Sequence, residues 1–469
     1  MIRQLDRPAA GVSCRYVPIR NAPTVIAAVL CALLLGGKPG HSVPQTPAVR
    51  SVDERILRGY AGVYQWEPNA FLYIQMWSEF TGKNQLVAFD ESGEVRTLYP
   101  IDDDRFFAGP GAAVPTAIES RIDFQRNSQG NLISLTWRKG DASPRTARRV
   151  EIEKREDVAF SNGGIRLAGT LISPATLGKH SAIILVHGSG AEDREYMLPF
   201  ARFLIRHGVA VLGYDKRGVG GSTGDWNTAS FADLAGDVVA AFEYLKTRDD
   251  IDRRQIGVLG VSQAGWVMPL AAIRAKDIAF LISVSGAGVS PAETTIDEAE
   301  REMAASGLRP EGIQRIVGLM KLQYEFARTG LGWDEYATAR SQIIARLGSA
   351  PSTFPGTPND PYWQFIRRLY FYDPGPALRQ LQTPVLAVFG ELDDNVLAEK
   401  NKNAWEVALR AGNSRDYTLR IIPKADHLQL EAKVGSNAEM ASLQRFAPAY
   451  FTTIQDWLAK IIMSFKASR

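Results

Sequence analysis

Ile256-Gly257-Val258-Leu259-Gly260-Val261-Ser262-Gln263-Ala264-Gly265-Trp266 reads as an apolar strand that turns at once into a helix, with a serine at the corner. A serine hydroxyl is a poor nucleophile unless the backbone thrusts it into a site beside a base and hydrogen-bond donors. A tight strand-to-helix turn does this by holding the serine in a strained conformation, which demands small residues two positions to either side. Gly260 and Ala264 stand there, and Gly265 lets the helix pack close. The pattern is Gly-x-Ser-x-Ala-Gly, with alanine where the second glycine of the usual signature falls. Taken alone it fits a buried turn as well as a nucleophile, so its meaning depends on what the rest of the chain supplies.

A serine nucleophile needs a base, in practice histidine, and the chain has five. His41 lies in an N-terminal leader, His180 in a polar approach to a strand, and His207 at an expected helix end, where a cation suits the dipole. His187 belongs to a glycine-rich loop that it braces. His427 remains, in Leu419-Arg-Ile-Ile-Pro-Lys-Ala-Asp426-His427-Leu428, a strand followed by a short loop. The orienting acid should follow another strand between serine and histidine. Val385-Leu-Ala-Val-Phe-Gly390 is such a strand, and Glu391-Leu-Asp393-Asp394 follows it. Asp393 is placed to curl back over the sheet edge, with Asp394, Glu391 and Asp426 as competitors. Acyl transfer also needs oxyanion donors. Ser181-Ala-Ile-Ile-Leu-Val-His187-Gly-Ser189-Gly190 ends in a turn that leaves backbone N–H groups available, so the Ser189 and Gln263 amides are the candidates. The turn lacks the Gly-Lys-Ser/Thr and Gly-x-Gly-x-x-Gly patterns of nucleotide sites.

The order of segments points to an α/β class. An expected hairpin joins Val158–Ser161 to Ile165–Ile172 across Asn162-Gly-Gly164. Strands are expected at 181–187, 209–214, 256–261, 278–284, 385–389 and 417–422, and helices near 194–207 and 231–246. Such alternation builds a mostly parallel sheet with helices on both faces, and ligands bind at the carboxyl ends of its strands, where each candidate residue falls. In Asp215-Lys-Arg217-Gly218, Asp215 and Arg217 are expected to tie loops together beneath the site, in preference to binding a substrate carboxylate.

From about Val158 to Lys466 the chain resembles the α/β-hydrolase superfamily, close to its esterase and serine-aminopeptidase-like branch. The residues that carry the resemblance are His187-Gly-Ser-Gly190, Asp193-Arg194, Asp215-Lys-Arg-Gly218, Gly260-Val-Ser262-Gln-Ala-Gly265, Gly390-Glu-Leu-Asp393 and Asp426-His427. The resemblance implies a triad of Ser262, Asp393 and His427 with the Ser189 and Gln263 amides as oxyanion donors. Ala264 departs from the family's glycine, a small-for-small change. A serine nucleophile argues against the family's aspartate-dependent dehalogenases and epoxide hydrolases, and against its cysteine-dependent lactone hydrolases.

Helices over 293–305, 312–329 and 333–347 interrupt the rhythm and read as a helical lid insertion, about 288–375, over an acyl pocket. The catalytic domain then spans 151–469. Residues 51–150 hold short strand-like runs at 71–77, 85–89, 95–99, 120–124 and 132–137, which predict a small antiparallel β domain of half-open barrel form, with 141–149 as a linker. Residues 1–42 read as a signal peptide. Arg3, Arg7, Arg15 and Arg20 precede the apolar run Thr24–Leu35, too short to span a bilayer comfortably; an uncleaved anchor is the alternative. Both cysteines, Cys14 and Cys31, fall in this leader, which suits export to the periplasm or medium. The leader carries five basic and one acidic side chains, so the total of +3 leaves the remainder at −1 and no basic patch for nucleic acid. At 469 residues and 45% hydrophobic content, two cored domains are expected.

The expected function is an exported serine hydrolase acting on small-molecule carboxylic esters, needing no cofactor or metal and no membrane once the leader is cleaved. A peptidase or amidase would use the same residues, and a non-catalytic binding protein on this scaffold is the alternative of another class. Natural substrate and oligomeric state do not follow from the sequence.

Overall fold

The computed structural model describes residues 49–82, 85–90, 92–347 and 353–467. The expected leader, with both cysteines, lies outside them. Helix α1 (Glu54–Tyr60), capped by the Asp53 carboxylate, precedes eight antiparallel strands: β1 (Gly62–Glu67), β2 (Ala70–Trp77), β3 (Gln85–Asp90), β4 (Val95–Asp102), β5 (Arg105–Ala108), β6 (Ser120–Arg126), β7 (Leu132–Lys139) and β8 (Arg145–Val150). Each pairs with the next, and β8 returns to β1 with Val63 opposite Val150, so the barrel is closed. Its interior is filled by Tyr64, Ile74, Leu86, Phe106, Ile122 and Leu135, with Leu57 and Tyr60 of α1 packed among them.

Closure corrects two expectations. The barrel is not half-open, and 141–149 is not a linker but contains most of β8. Sequence patterning hides β8 because Ala147 is its only buried side chain, while its arginines project outward. Arg145 and Arg149 lie over the rings of Trp66 and Tyr64. Strands β2 to β4 read as continuous apolar runs because they are covered on both sides. Their outward residues Tyr73, Trp77, Val87, Phe89 and Val95 belong to a core shared with the second half of the chain.

That half is an eight-stranded sheet: β9 (Glu153–Asn162), β10 (Ile165–Pro174), β11 (His180–Val186), β12 (Val209–Tyr214), β13 (Ile251–Val261), β14 (Leu281–Val284), β15 (Val385–Gly390) and β16 (Tyr417–Ile422). The spatial order is β16-β15-β14-β13-β11-β12-β10-β9, parallel from β16 to β12, with β9 and β10 antiparallel at one edge. The β9–β10 hairpin turns at Gly163, φ 55°, a conformation cheap for glycine alone. Strand residues alternate between two apolar layers, as a period of two requires. Ile184, Val258 and Phe389 face α2 (Phe231–Lys246) and α3 (Ala264–Arg274), whereas Leu185, Leu259 and Val388 face the barrel side.

Between β14 and β15 come α4 (Pro291–Ala305), α5 (Pro310–Thr329), α6 (Trp333–Leu347), α7 (Tyr362–Leu369) and α8 (Gly375–Arg379); α9 (Ala398–Ala411) and α10 (Ala449–Ala467) complete the chain. Capping boxes at Ser230/Asp233 and Ser290/Glu293 set the starts of α2 and α4. The helix expected near 194–207 is instead two 3₁₀ segments, Leu198–Phe200 and Arg202–His207. Pro199 lacks an N–H, and Leu198 through Ile205 are buried without a break, so no polar face is left for an ordinary amphipathic helix.

Candidate active site

The end of β13 delivers Ser262 into the turn before α3. Its φ is 57°, in the left-handed region that costs an L-residue energy, and its N–H donates to the Val284 carbonyl at 3.0 Å. The neighbours are small for steric reasons. A Cβ on Gly260 would lie 2.4 Å from the Ala264 Cβ and 2.7 Å from the Val186 carbonyl oxygen. One on Gly265 would meet the Gly286–Ala287 backbone at 2.7 Å, so α3 could not approach the loop after β14.

His427 lies in the loop after β16, and Asp393 in the loop after β15. The His427 Nδ1 is 3.0 and 2.9 Å from the two Asp393 carboxylate oxygens, so the ring donates there and presents Nε2 elsewhere. The Asn395 and Val396 N–H groups also donate to Asp393 Oδ1, at 2.9 and 2.7 Å. The competing acids have other work. Asp426 accepts the Leu428 and Leu430 N–H groups, and Glu391 accepts that of Lys424. Burial would pull the imidazole's pKa down, but the Asp393 carboxylate, with Glu298 and Asp426 adding to it, outweighs this and the net result is upward, to about 9.

Ser262 and His427 line one cavity of about 390 Å³ together with Ser189 and Gln263. The structure thus brings Ser262, His427, Ser189 and Gln263 to one space, with Asp393 bonded behind the imidazole. His187 does not enter the cavity. Its Nε2 donates to the Tyr214 carbonyl at 2.6 Å, and burial, helped by Lys216, pushes its pKa down to about 3. Asp215 receives Arg194 on both carboxylate oxygens, at 3.0 and 2.8 Å, and Arg217 grips Asp237 of α2 at 2.7 and 2.6 Å. Both are ties between elements, as expected.

Four residues that sequence reasoning passes over bear on the site. Lys216 donates from beneath to the carbonyls of Gly188 and Gly190, at 2.7 and 2.9 Å, and to the Gln263 side chain at 3.1 Å. Glu192 accepts the Gly188 N–H at 2.9 Å. The buried ammonium and carboxylate between them clamp the loop that carries Ser189; burial lowers the pKa of the first and raises that of the second, while their mutual attraction opposes both. Lys216 could have been suspected from its place between Asp215 and Arg217. Glu79 of the barrel half and Glu298 of α4 also line the cavity, and no sequence motif marks them.

The arrangement can activate a hydroxyl against an acyl carbon. A family model described as "Alpha/beta hydrolase family" matches residues 183–437, more than half of the chain. Among relatives, the esterase EstD of Thermotoga maritima is 25% identical over 263 residues, 55% of this chain and 56% of EstD, so little more than half of that relative's length is matched. The quorum-quenching protein AidA of Acinetobacter baumannii is 26% identical over 238 residues, 49% of this chain and 76% of AidA. Among solved structures, the alpha/beta hydrolase GrgF from Penicillium covers 66% of this chain and 98% of its own, at 21% identity and a TM-score of 0.42.

Proposed function

The chain belongs to the alpha/beta hydrolase family, and from that premise we propose that it is a serine hydrolase of small-molecule carboxylic esters. The observation that carries this reading is that His427, bonded from behind by Asp393, lines the cavity where a positive-φ turn presents Ser262. Ser262 Oγ attacks the ester carbonyl carbon while His427 Nε2 takes its proton. Asp393 holds the ring in the tautomer that leaves Nε2 free and stabilises the imidazolium. The Ser189 and Gln263 amides donate to the oxyanion. The C–O bond to the alcohol then breaks, His427 returns the proton to the leaving oxygen, and an acyl-Ser262 ester remains. Water, deprotonated by His427, attacks that ester and releases the acid.

Ester preference is further supported by the likeness to EstD, itself called an esterase. The helices after β14 act as a lid over the acyl pocket; Pro291, Thr294 and Thr295 of α4 and Phe365 and Leu369 of α7 face the cavity. The basic, apolar and small-residue order of 1–42 supports export, which N-terminal sequencing of the secreted or periplasmic product tests.

The deciding experiment labels the purified protein with a fluorophosphonate and follows p-nitrophenyl ester hydrolysis. Labelling and turnover are expected, and both are expected to vanish in Ser262→Ala. A folded wild type that neither labels nor turns over esters is a binding protein on this scaffold. Activity on aminoacyl amides alone makes it an amidase.

A further inference from the structure

Glu79 and Glu298 line the cavity, yet the hydrolytic steps use neither. Glu79 follows β2 and comes from the barrel; Glu298 sits mid-way along α4. Among the described residues neither carboxyl has a hydrogen-bond or ion-pair partner, and the nearby charge that opposes their burial is that of His427. Two of the lysines in this region are engaged. Lys216 serves the Gly188 and Gly190 carbonyls beside Glu192, and Lys400 is paired with Asp297 at 2.6 Å. Burial pushes the Glu79 carboxyl up to about 7 and, with Glu302 and Asp393 adding to it, the Glu298 carboxyl up to about 8. Both side chains are half-buried in the cavity wall, and a cation entering the cavity would stabilise their ionised forms. Phe365 and Tyr370 line the same space. Their ring faces attract alkylammonium groups. A bound metal ion is the weaker occupant, because among the described residues no three His, Cys, Asp or Glu side chains group as a metal site requires.

We propose that the cavity accepts esters carrying an alkylammonium group on the acyl or alcohol side, with Glu79 and Glu298 as the anionic wall that selects them. This rests on the hydrolytic reading above and names its substrate class. The selection spans both halves of the molecule, one carboxyl coming from the barrel and one from the helical insertion.

Two isosteric pairs with a permanent charge test it at pH 8.5, above the values to which the two carboxyls are raised: ethyl 4-(trimethylammonio)butanoate against ethyl 5,5-dimethylhexanoate, and acetylcholine against 3,3-dimethylbutyl acetate. The readout is the ratio of kcat/KM within a pair, because a folding defect lowers both members together. Wild type is expected to favour the charged member of at least one pair by about tenfold, the equivalent of one modest buried ion pair. The ratio is expected to fall in Glu79→Gln and in Glu298→Gln and to approach unity in the double variant. No preference in wild type, or a preference that survives in the double variant, would overturn the proposal. Calorimetric titration with tetramethylammonium chloride separates this from the hydrolytic reading. Binding that the double variant loses sustains the cationic subsite even if no ester is cleaved. No heat of binding at tens of millimolar overturns it even if neutral esters are cleaved.

Discussion

At the scale of single residues, the imidazole carries a testable pH signature. Neutral His427 is the form that accepts the Ser262 proton, and its pKa is raised to about 9, above the ordinary 6.5, because the Asp393 carboxylate, with Glu298 and Asp426 adding to it, outweighs burial. Activity expressed as kcat/KM should therefore rise with pH up to about that value in the free enzyme. Asp393→Asn is expected to lower the midpoint and to cut kcat by about 10³- to 10⁴-fold, which a pH–rate profile on a p-nitrophenyl ester measures; an unshifted midpoint would remove Asp393 from the orienting role. Folding linkage has the same origin. A histidine whose folded pKa is raised stabilises the fold fully below 6.5 and loses that contribution as pH climbs through about 9. Ser262, Asp393 and His427 are legible in the sequence because each sits at a strand end in a short local signature. Glu79, Glu298, Glu192 and Lys216 are not, because their meaning comes from the cavity and loop that the fold builds around them, which no local pattern encodes.

At the scale of elements, the nucleophile turn is set by what its neighbours lack. Gly260→Ala would place a methyl 2.4 Å from Ala264 Cβ, so the turn must open; a loss of about 2–4 kcal/mol and of most turnover is expected. Ala264→Gly removes only a methyl and should cost about 1 kcal/mol with activity retained. Chemical denaturation alongside ester assays distinguishes the two, and a Gly260→Ala protein of wild-type activity would show that the turn is not strained as described. The clamp under the Ser189 loop behaves as a unit. Lys216→Met alone leaves the Glu192 carboxyl buried without its cation and should destabilise by about 3–5 kcal/mol. Lys216→Met with Glu192→Gln should recover much of that stability but not the rate, because the Gly188 and Gly190 carbonyls lose their donor; full recovery of turnover would reduce the clamp to a packing role. Elements with an apolar period are readable from the residues alone, including β11, β13, β15 and helices α4 to α6. Strand β8 is not, since arginines cover its outer face and one alanine marks the inner one. Nor are the 3₁₀ segments over 198–207, whose run from Leu198 to Ile205 is buried on every side.

At the scale of the whole molecule, the barrel and the parallel sheet are joined by more than the two residues between β8 and β9. The segment after His427 runs against the barrel: Val95 N–H donates to the Gln444 carbonyl at 3.0 Å, Ala112 N–H to Leu443 at 2.7 Å, and Phe446 N–H to Gly93 at 2.8 Å. The buried Arg96 guanidinium adds a bond to the Gln444 carbonyl at 2.7 Å. The barrel therefore braces the chain that emerges from the histidine loop, a role invisible in the sequence because the partners lie about 350 residues apart. Arg202 is the deepest of the links. It is fully buried, pairs with Glu153 at 2.8 Å, donates to the Ile74 carbonyl of β2 at 3.2 Å and lies over the Tyr73 ring. With an apolar core continuous across the junction, the two halves should unfold together, giving one calorimetric transition rather than two. Arg202→Met leaves the Glu153 carboxylate without its closest cation and the Ile74 carbonyl without this donor, so a loss of about 3–5 kcal/mol is expected. Because the junction braces the chain leaving His427, ester turnover should be lost in step with the folded fraction as temperature rises. Two resolved transitions in wild type, or an Arg202→Met protein whose barrel melts separately while turnover persists, would mean that the halves are merely tethered.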